Sequence, residues 1–114
     1  MQSGSCHCGA VTFSADVRVD QAMECNCSHC SRKGFLHSFV PLEAFAVTSG
    51  QDKLTTYTFN MHMIQHQFCS MCGCQPFALG RKPDGTKMAA INVRCVDGID
   101  LATVKRLPVN GRDI

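Results

Sequence analysis

The densest run of cysteines in the chain lies at residues 25–30, in the pattern C-x-C-x-x-C. Cys25, Cys27 and Cys30 place three thiols close together in sequence, a spacing typical of ligands to one soft metal ion. Zinc in proteins takes four tetrahedral ligands, and a zinc with three protein ligands keeps one position open for water or substrate. The run therefore predicts an open zinc site, which is the kind found in catalytic centres.

Two further cysteine pairs flank this run. Cys6 and Cys8 are two residues apart, so in an extended backbone both side chains point to the same side. Cys69 and Cys72 form a C-x-x-C-G zinc knuckle, a tight turn whose amides face the sulfurs. Counting favours one closed site of four thiolates from the two pairs, although other combinations of four sulfurs fit the sequence. Sulfur ligands alone also permit iron at a closed site, but zinc is preferred.

The use of the cysteines also bears on the cellular compartment. The chain has nine cysteines in 114 residues, an odd number grouped in C-x-C and C-x-x-C pairs. The first residues show neither the basic nor the apolar region of a signal peptide. This pattern favours metal binding in a reducing cytoplasm over a secreted disulfide scaffold. No apolar run approaches membrane-spanning length, and the length predicts a single domain over residues 1–114.

The net charge argues against nucleic acid as a partner. The formal value is +2 with neutral thiols, and seven thiolates with two zinc ions would leave the chain nearly neutral.

Arg32 and Lys33 follow the cysteine run and are interpreted either as solvated side chains or as local cations beside it. His7 and His29 are interpreted as residues outside the ligand sets, and Cys74 and Cys95 as structural thiols.

Short alternating runs separated by turn signals predict a mainly β chain. The predicted strands cover residues 11–17, 35–40, 45–48, 54–59, 64–68, 77–80 and 88–93. A single helical turn is predicted over Ser28–Lys33 and ended by Gly34, with its first amides facing the sulfurs. Further short turns are predicted at residues 41–45, where Pro41 comes first, and after Asp100.

An open, thiolate-rich zinc suggests a definite reaction class. Zinc favours the thiolate form of a bound thiol, and it can polarise a carbonyl oxygen as a Lewis acid. A thiolate and a polarised aldehyde give a hemithioacetal, and the reverse step cleaves a carbon–sulfur bond. The sequence has no G-x-S-x-G elbow, phosphate-binding loop or dinucleotide fingerprint that would indicate another chemistry.

Four segments carry a resemblance to a known family. They are GSCHCG at residues 4–9, CNCSHC at 25–30 with Gly34, FCSMCG at 68–73 and NVRCVDG at 92–98. Together they resemble the glutathione-dependent formaldehyde-activating enzyme family, to which centromere protein V also belongs. The resemblance extends over nearly the whole chain.

The resemblance implies a β-tent fold, built of small antiparallel sheets around a structural zinc. It implies two zinc ions per chain: a structural ion bound by Cys6, Cys8, Cys69 and Cys72, and a catalytic ion bound by Cys25, Cys27 and Cys30. The implied substrates are glutathione or another small thiol and formaldehyde or a related small aldehyde. Glutathione carries two carboxylates, so Arg32, Lys33 and Arg94 are candidate cations for its recognition.

A second hypothesis is a non-catalytic zinc module that binds a protein, a nucleic acid or a small thiol. The three-cysteine run separates the two hypotheses, because a scaffold does not need an unsaturated metal site and a zinc-ribbon binder usually closes its metal with four ligands. The sequence therefore favours a carbon–sulfur lyase over the binding module.

Overall fold

The computed structural model describes residues 1–113 and is mainly β, with two sheets. The smaller sheet contains three antiparallel strands in the order β1-β2-β5. These are β1 (Gln2–Ser5), β2 (Thr12–Ala15) and β5 (Phe45–Ser49). The predicted mainly β class with antiparallel sheets is confirmed.

The larger sheet contains seven strands. These are β3 (Gln21–Cys25), β4 (His37–Pro41), β6 (Leu54–Tyr57), β7 (Gln65–Cys69), β8 (Phe77–Arg81), β9 (Lys87–Asn92) and β10 (Lys105–Val109). Their order is β10-β3-β4-β9-β8-β7-β6. All neighbours are antiparallel except β10, which pairs in parallel with β3.

The core lies between the two sheets and includes part of the cysteine framework. Phe13, Phe45 and Phe77 form its aromatic centre, with the rings of Phe45 and Phe77 4.6 Å apart. Cys6 and Cys69 belong to the same buried cluster as the apolar side chains. The packing of the two sheets and the positions of these sulfurs therefore depend on each other.

One short helix, α1 (Ser28–Lys33), begins directly after β3, as the sequence predicts. It ends at Gly34, whose positive φ of 70° lets its amide donate to the Cys30 carbonyl. Five 3-10 turns accompany it. They cover Leu42–Ala44, Gln51–Lys53, Val93–Cys95, Leu101–Thr103 and Gly111–Asp113. Two of them match the predicted turns after Pro41 and Asp100. Within residues 1–113, none of the helices is long and apolar enough to cross a membrane.

The sequence prediction contains no strand at residues 2–5, 21–25 or 105–109, where the structure has β1, β3 and β10. Residues 2–5 form a strand although their side chains are mostly small and polar, because β2 supplies a complete antiparallel partner. Two consecutive strands, β5 and β6, follow one another through Gly50 but lie in different sheets. The strand β10 was not predicted, since it contains Pro108, and it lies at the edge of the sheet, where a missing amide donor is tolerated.

Candidate metal centres

The first cysteine cluster brings together two pairs that are far apart in sequence. The Sγ atoms of Cys6, Cys8, Cys69 and Cys72 all lie within 4.8 Å of one another. The sulfur of Cys8 is 3.7 Å from that of Cys6 and 3.7 Å from that of Cys69. A tetrahedral zinc with Zn–S bonds of about 2.3 Å separates its sulfurs by about 3.8 Å. This four-cysteine cluster therefore fits a closed zinc site.

Backbone amides surround these sulfurs. The amide of Val11 donates to the Cys6 sulfur at 3.4 Å, and the amide of Met71 donates to the Cys69 sulfur at 3.3 Å. The Cys74 amide lowers the pKa of the Cys72 thiol to about 6, and the neighbouring sulfurs contribute to the shift. These dipoles stabilise thiolates, the form of cysteine that binds metal.

The second cluster is formed by the end of β3 and the start of α1. The sulfurs of Cys25, Cys27 and Cys30 lie within 4.8 Å of one another, so the structure brings together the three residues predicted from the C-x-C-x-x-C run. The Cys27 amide donates to the Cys25 sulfur at 3.4 Å, and the Cys30 amide donates to the Cys27 sulfur at 3.2 Å. The predicted orientation of the turn amides toward the sulfurs is thus confirmed.

The electrostatics of this three-cysteine cluster are uneven. Burial raises the pKa of the Cys27 thiol, but the Cys30 amide and the adjacent sulfurs lower it by more. Burial raises the pKa of the Cys30 thiol well above its ordinary value, and Cys27 adds to the rise. A divalent cation would offset the mutual repulsion of three thiolates, so the donor set fits zinc with three protein ligands.

His37 is a neighbour of the three-cysteine cluster that sequence reasoning missed. Its Nε2 atom lies 3.7 Å from the Cys30 sulfur, and the residue is buried. In the tautomer with hydrogen on Nε2, the ring donates to this sulfur and orients it. Burial, with a smaller contribution from His29, lowers the pKa of His37 to about 4. His37 lies outside the C-x-C-x-x-C run and forms no recognisable motif with Cys30, so local sequence carries no signal of this contact.

Residues 109–112 cover one side of the three-cysteine cluster. The side chain of Asn26 donates to the Asn110 side chain and accepts from the Arg112 amide, both at 2.9 Å. Its backbone amide donates to the Val109 carbonyl. The backbone of Gly111 then passes so close to the Cys25 sulfur that an added Cβ atom would overlap it. Residues 109–112 therefore form a wall beside the cluster.

A cleft of about 510 Å³ opens beside this wall. Cys25 and Cys30 both line it, so the three-cysteine cluster borders a space that a small molecule can enter. The other lining residues include the polar side chains of Asn26, Ser31 and Asn110, and within residues 1–113 Glu24 is the one charged residue among them.

The candidate cations do not converge on this cleft. Arg32 and Lys33 line a different cleft on the other side of α1. The Nε atom of Arg94 donates to the Gly34 carbonyl at 2.8 Å, at the end of the helix. His7 is exposed, and His29 is half-buried among aromatic rings rather than near the sulfurs of a ligand set.

The two remaining cysteines meet each other. The sulfurs of Cys74 and Cys95 are 3.6 Å apart, and both residues are partly buried against the core. Cys74 belongs to neither cysteine cluster. Burial raises the pKa of the Cys95 thiol well above its ordinary value, with Cys74 contributing. The pair fits the structural role predicted for each thiol, although the sequence did not indicate that they are neighbours.

Known proteins share both the fold and the sequence pattern. A crystal structure of a Rhodobacter sphaeroides protein, a structural genomics target, superposes with a TM-score of 0.80 at 27% sequence identity. The match covers 92% of this chain and 99% of that one. The family model described as glutathione-dependent formaldehyde-activating enzyme matches residues 1–106, a range that contains both cysteine clusters. With nearly the whole sequence matched, the chain belongs to the glutathione-dependent formaldehyde-activating enzyme family.

Proposed function

We propose that the chain is a zinc-dependent carbon–sulfur lyase that acts on the adduct of a small thiol, such as glutathione, with formaldehyde or a related aldehyde. The observation that carries the proposal is the contrast between the two cysteine clusters. One groups four thiols around a single point, whereas the other groups three and has two of them lining a cleft. Membership of the family supports a role related to glutathione and formaldehyde.

Each cluster has its own role in this proposal. Cys6, Cys8, Cys69 and Cys72 bind a structural zinc, and Cys25, Cys27 and Cys30 bind a catalytic one, giving two zinc ions per chain over a single domain at residues 1–114. Zinc at the three-cysteine cluster would supply a Lewis acid that favours the deprotonated form of the thiol substrate. A cytoplasmic location fits these roles, because thiols stay reduced there.

The protein groups around the three-cysteine cluster control the charge at the reaction centre. The amides of Cys27 and Cys30 donate to two of the sulfurs, and His37 orients the third. In the addition direction, the substrate thiolate forms the carbon–sulfur bond to the aldehyde carbon and the carbonyl oxygen takes up a proton. In the lyase direction, that oxygen loses its proton and the carbon–sulfur bond breaks.

The cleft itself suggests how a thiol is oriented. Glu24 is its charged lining residue, and Asn26 and Ser31 offer neutral polar groups. An ammonium group on the substrate, as in glutathione, would be attracted to Glu24. The buried ring of Phe35 supplies an apolar surface on the same cleft. The lining of the cleft therefore supports a small aminothiol held through its ammonium group, and it includes no cation for the two carboxylates of glutathione among residues 1–113.

Glutathione and formaldehyde combine without a catalyst, so formation of the adduct alone does not show catalysis. The test therefore measures the rate of exchange between the two free compounds and their adduct. Magnetisation-transfer NMR on the zinc-loaded protein gives the exchange rate, and the spontaneous rate is measured without protein. We expect the protein to accelerate exchange in both directions. Cys30→Ser should return the rate to the spontaneous value, since it removes a ligand of the open site.

Cys74→Ser is the matched control, because it removes a thiol that belongs to neither cluster, and we expect it to retain the acceleration. If the wild-type protein binds glutathione without changing the exchange rate, the lyase proposal is wrong and a thiol-binding module remains. If Cys74→Ser and Cys30→Ser lose the acceleration equally, the assignment of the open site is wrong.

A further inference from the structure

A second cleft, of about 590 Å³, lies on the face of α1 opposite the first. The helix contributes His29, Arg32 and Lys33 to it, and the chain from β6 to β7 contributes Tyr57, Phe59 and Phe68. No cysteine lines this aromatic cleft, so it takes no direct part in the thiol chemistry proposed above.

Flat ring surfaces make up one wall of the aromatic cleft. The rings of Tyr57 and Phe59 are stacked, with centroids 5.7 Å apart and planes at 24°. Phe59 stacks in turn on His66, with centroids 5.3 Å apart and planes at 17°. Nearly half of the Tyr57 surface is exposed to solvent. Such a wall favours a planar aromatic ring over a flexible chain, because offset stacking adds to the area buried.

The other wall is cationic. The Lys33 Nζ atom lies 5.8 Å from the centroid of the Phe68 ring, and the lining residues include no carboxylate. Arg32 uses one nitrogen to donate to the Ser28 carbonyl at 2.9 Å, which leaves further guanidinium donors. Among residues 1–113, neither cation forms an ion pair with an acidic side chain. An anionic group would therefore gain two partners here.

Uncommitted histidine nitrogens lie behind the aromatic wall. Both ring nitrogens of His29 and the Nε2 atom of His66 are shielded from solvent, and no hydrogen-bond partner for them lies within residues 1–113. His66 is only 5% exposed, and its ring centroid is 4.2 Å from that of His29. Buried polar atoms are normally paired. Because these nitrogens are shielded from solvent, they offer no contact to a ligand in the cleft, where the exposed charged groups are those of Arg32 and Lys33.

We propose that the aromatic cleft binds a small aromatic carboxylate, with its ring against Tyr57, Phe59 and Phe68 and its carboxylate at Arg32 and Lys33. Both cations line this one cleft, within reach of a ligand that lies in it. The aromatic cleft is separate from the three-cysteine cluster, so this proposal does not depend on the lyase reaction and can be tested without it.

The chain carries its own reporter for this site, because Tyr57 is its one tyrosine and it has no tryptophan. The zinc-loaded full-length protein is titrated with benzoate while tyrosine emission is followed. Cyclohexanecarboxylate, which keeps the charge without the flat ring, and benzyl alcohol, which keeps the ring without the charge, are titrated in parallel. We expect saturable binding of benzoate that is at least about tenfold tighter than that of either analogue, since each lacks one of the two contacts.

The double variant Arg32→Met, Lys33→Met should weaken benzoate binding by at least about tenfold and leave its zinc content unchanged. The matched control is Arg81→Met, Lys82→Met, which removes two adjacent exposed cations outside the aromatic cleft and should bind as wild type does. Equal affinity for benzoate and cyclohexanecarboxylate would mean that the flat ring does not stack on the aromatic wall, and would overturn the proposal. Binding of an oligothymidylate with no response to benzoate would overturn it in favour of single-stranded nucleic acid.

Discussion

Gly111 brings the backbone of residues 109–112 close to a cysteine side chain. A Cβ atom at this position would overlap the Cys25 sulfur and lie 3.5 Å from the Cys27 Cβ atom. We expect Gly111→Ala to displace either the sulfur or the terminal segment, and to weaken metal binding at the three-cysteine cluster about tenfold, the usual scale of an overpacking cost. The change is measured by following the transfer of zinc to a chromophoric chelator. The kinetics are resolved into a fast and a slow class of zinc ion, so that the two clusters are followed separately.

Gly80→Ala is the control for this substitution. Gly80 also lacks a positive φ, but the nearest atom to its added Cβ would be a flexible Ile64 side-chain carbon at 3.6 Å, an ordinary contact. We expect zinc release from Gly80→Ala to match that from wild type. Unchanged release from Gly111→Ala would mean that the terminal segment does not constrain the cluster.

Single residues also show where sequence reasoning succeeds. Local spacing directs the two members of one pair, Cys6 and Cys8 or Cys69 and Cys72, toward a common point. That the two pairs share one site followed from counting the ligands and from the family resemblance. The neighbours His37 and Cys95 could not be placed in this way. His37 reaches Cys30 through the pairing of β4 in the large sheet, and Cys95 reaches Cys74 across the core. Both contacts depend on tertiary packing, of which the local sequence carries no signal.

The same distinction holds for whole elements. The helix α1 and the hairpin of β8 and β9 are built from local signals, namely a glycine cap and a turn at residues 82–85, and the helix and both strands of the hairpin match predicted elements. The strand β10 pairs in parallel with β3, a partner some eighty residues earlier in the chain. Parallel pairing over such a separation leaves no turn signature, and Pro108 argues locally against a strand.

Two glycines lie at the ends of short helical elements. They allow the cost of backbone strain at positive φ to be separated from the cost of steric overlap with neighbouring atoms. Gly34 and Gly50 both have positive φ, at 70° and 85°. A Cβ atom on Gly34 would meet nothing within 4 Å, whereas one on Gly50 would overlap the Ala10 carbonyl. We expect Gly34→Ala to cost about 1 kcal/mol from backbone strain alone. Gly50→Ala should cost at least about 2 kcal/mol more, because the backbone of residue 10 must also move.

Thermal unfolding of the zinc-loaded variants checks this order. Gly34→Ala serves as the internal control, since it carries the strain without the overlap. Gly50→Ala should have the lower melting temperature by several degrees, the shift expected of a domain of this size. Equal melting temperatures would mean that the contact between residues 50 and 10 relaxes without cost.

At the scale of the whole molecule, the four-cysteine cluster joins segments that no local interaction would bring together. It links the turn after β1 to the end of β7, across 61 residues between Cys8 and Cys69. The three-cysteine cluster instead lies within one local segment, from the end of β3 to α1. A metal at the first cluster therefore closes a long loop and stabilises the packing of both sheets, whereas a metal at the second orders residues that are already neighbours.

This difference predicts unequal effects of two serine substitutions. Cys69→Ser opens the closed site at a fully buried core position. Because structural zinc contributes about 10 kcal/mol or more, comparable to the whole net stability of a domain, we expect this variant to be largely unfolded at room temperature. Cys30→Ser should retain the fold, lose only a few degrees in melting temperature and bind one zinc ion per chain.

Circular dichroism melting with parallel zinc analysis measures both, and Cys74→Ser controls for loss of a thiol outside the clusters. Equal losses of melting temperature in Cys69→Ser and Cys30→Ser would show that the two clusters do not divide structural and chemical roles.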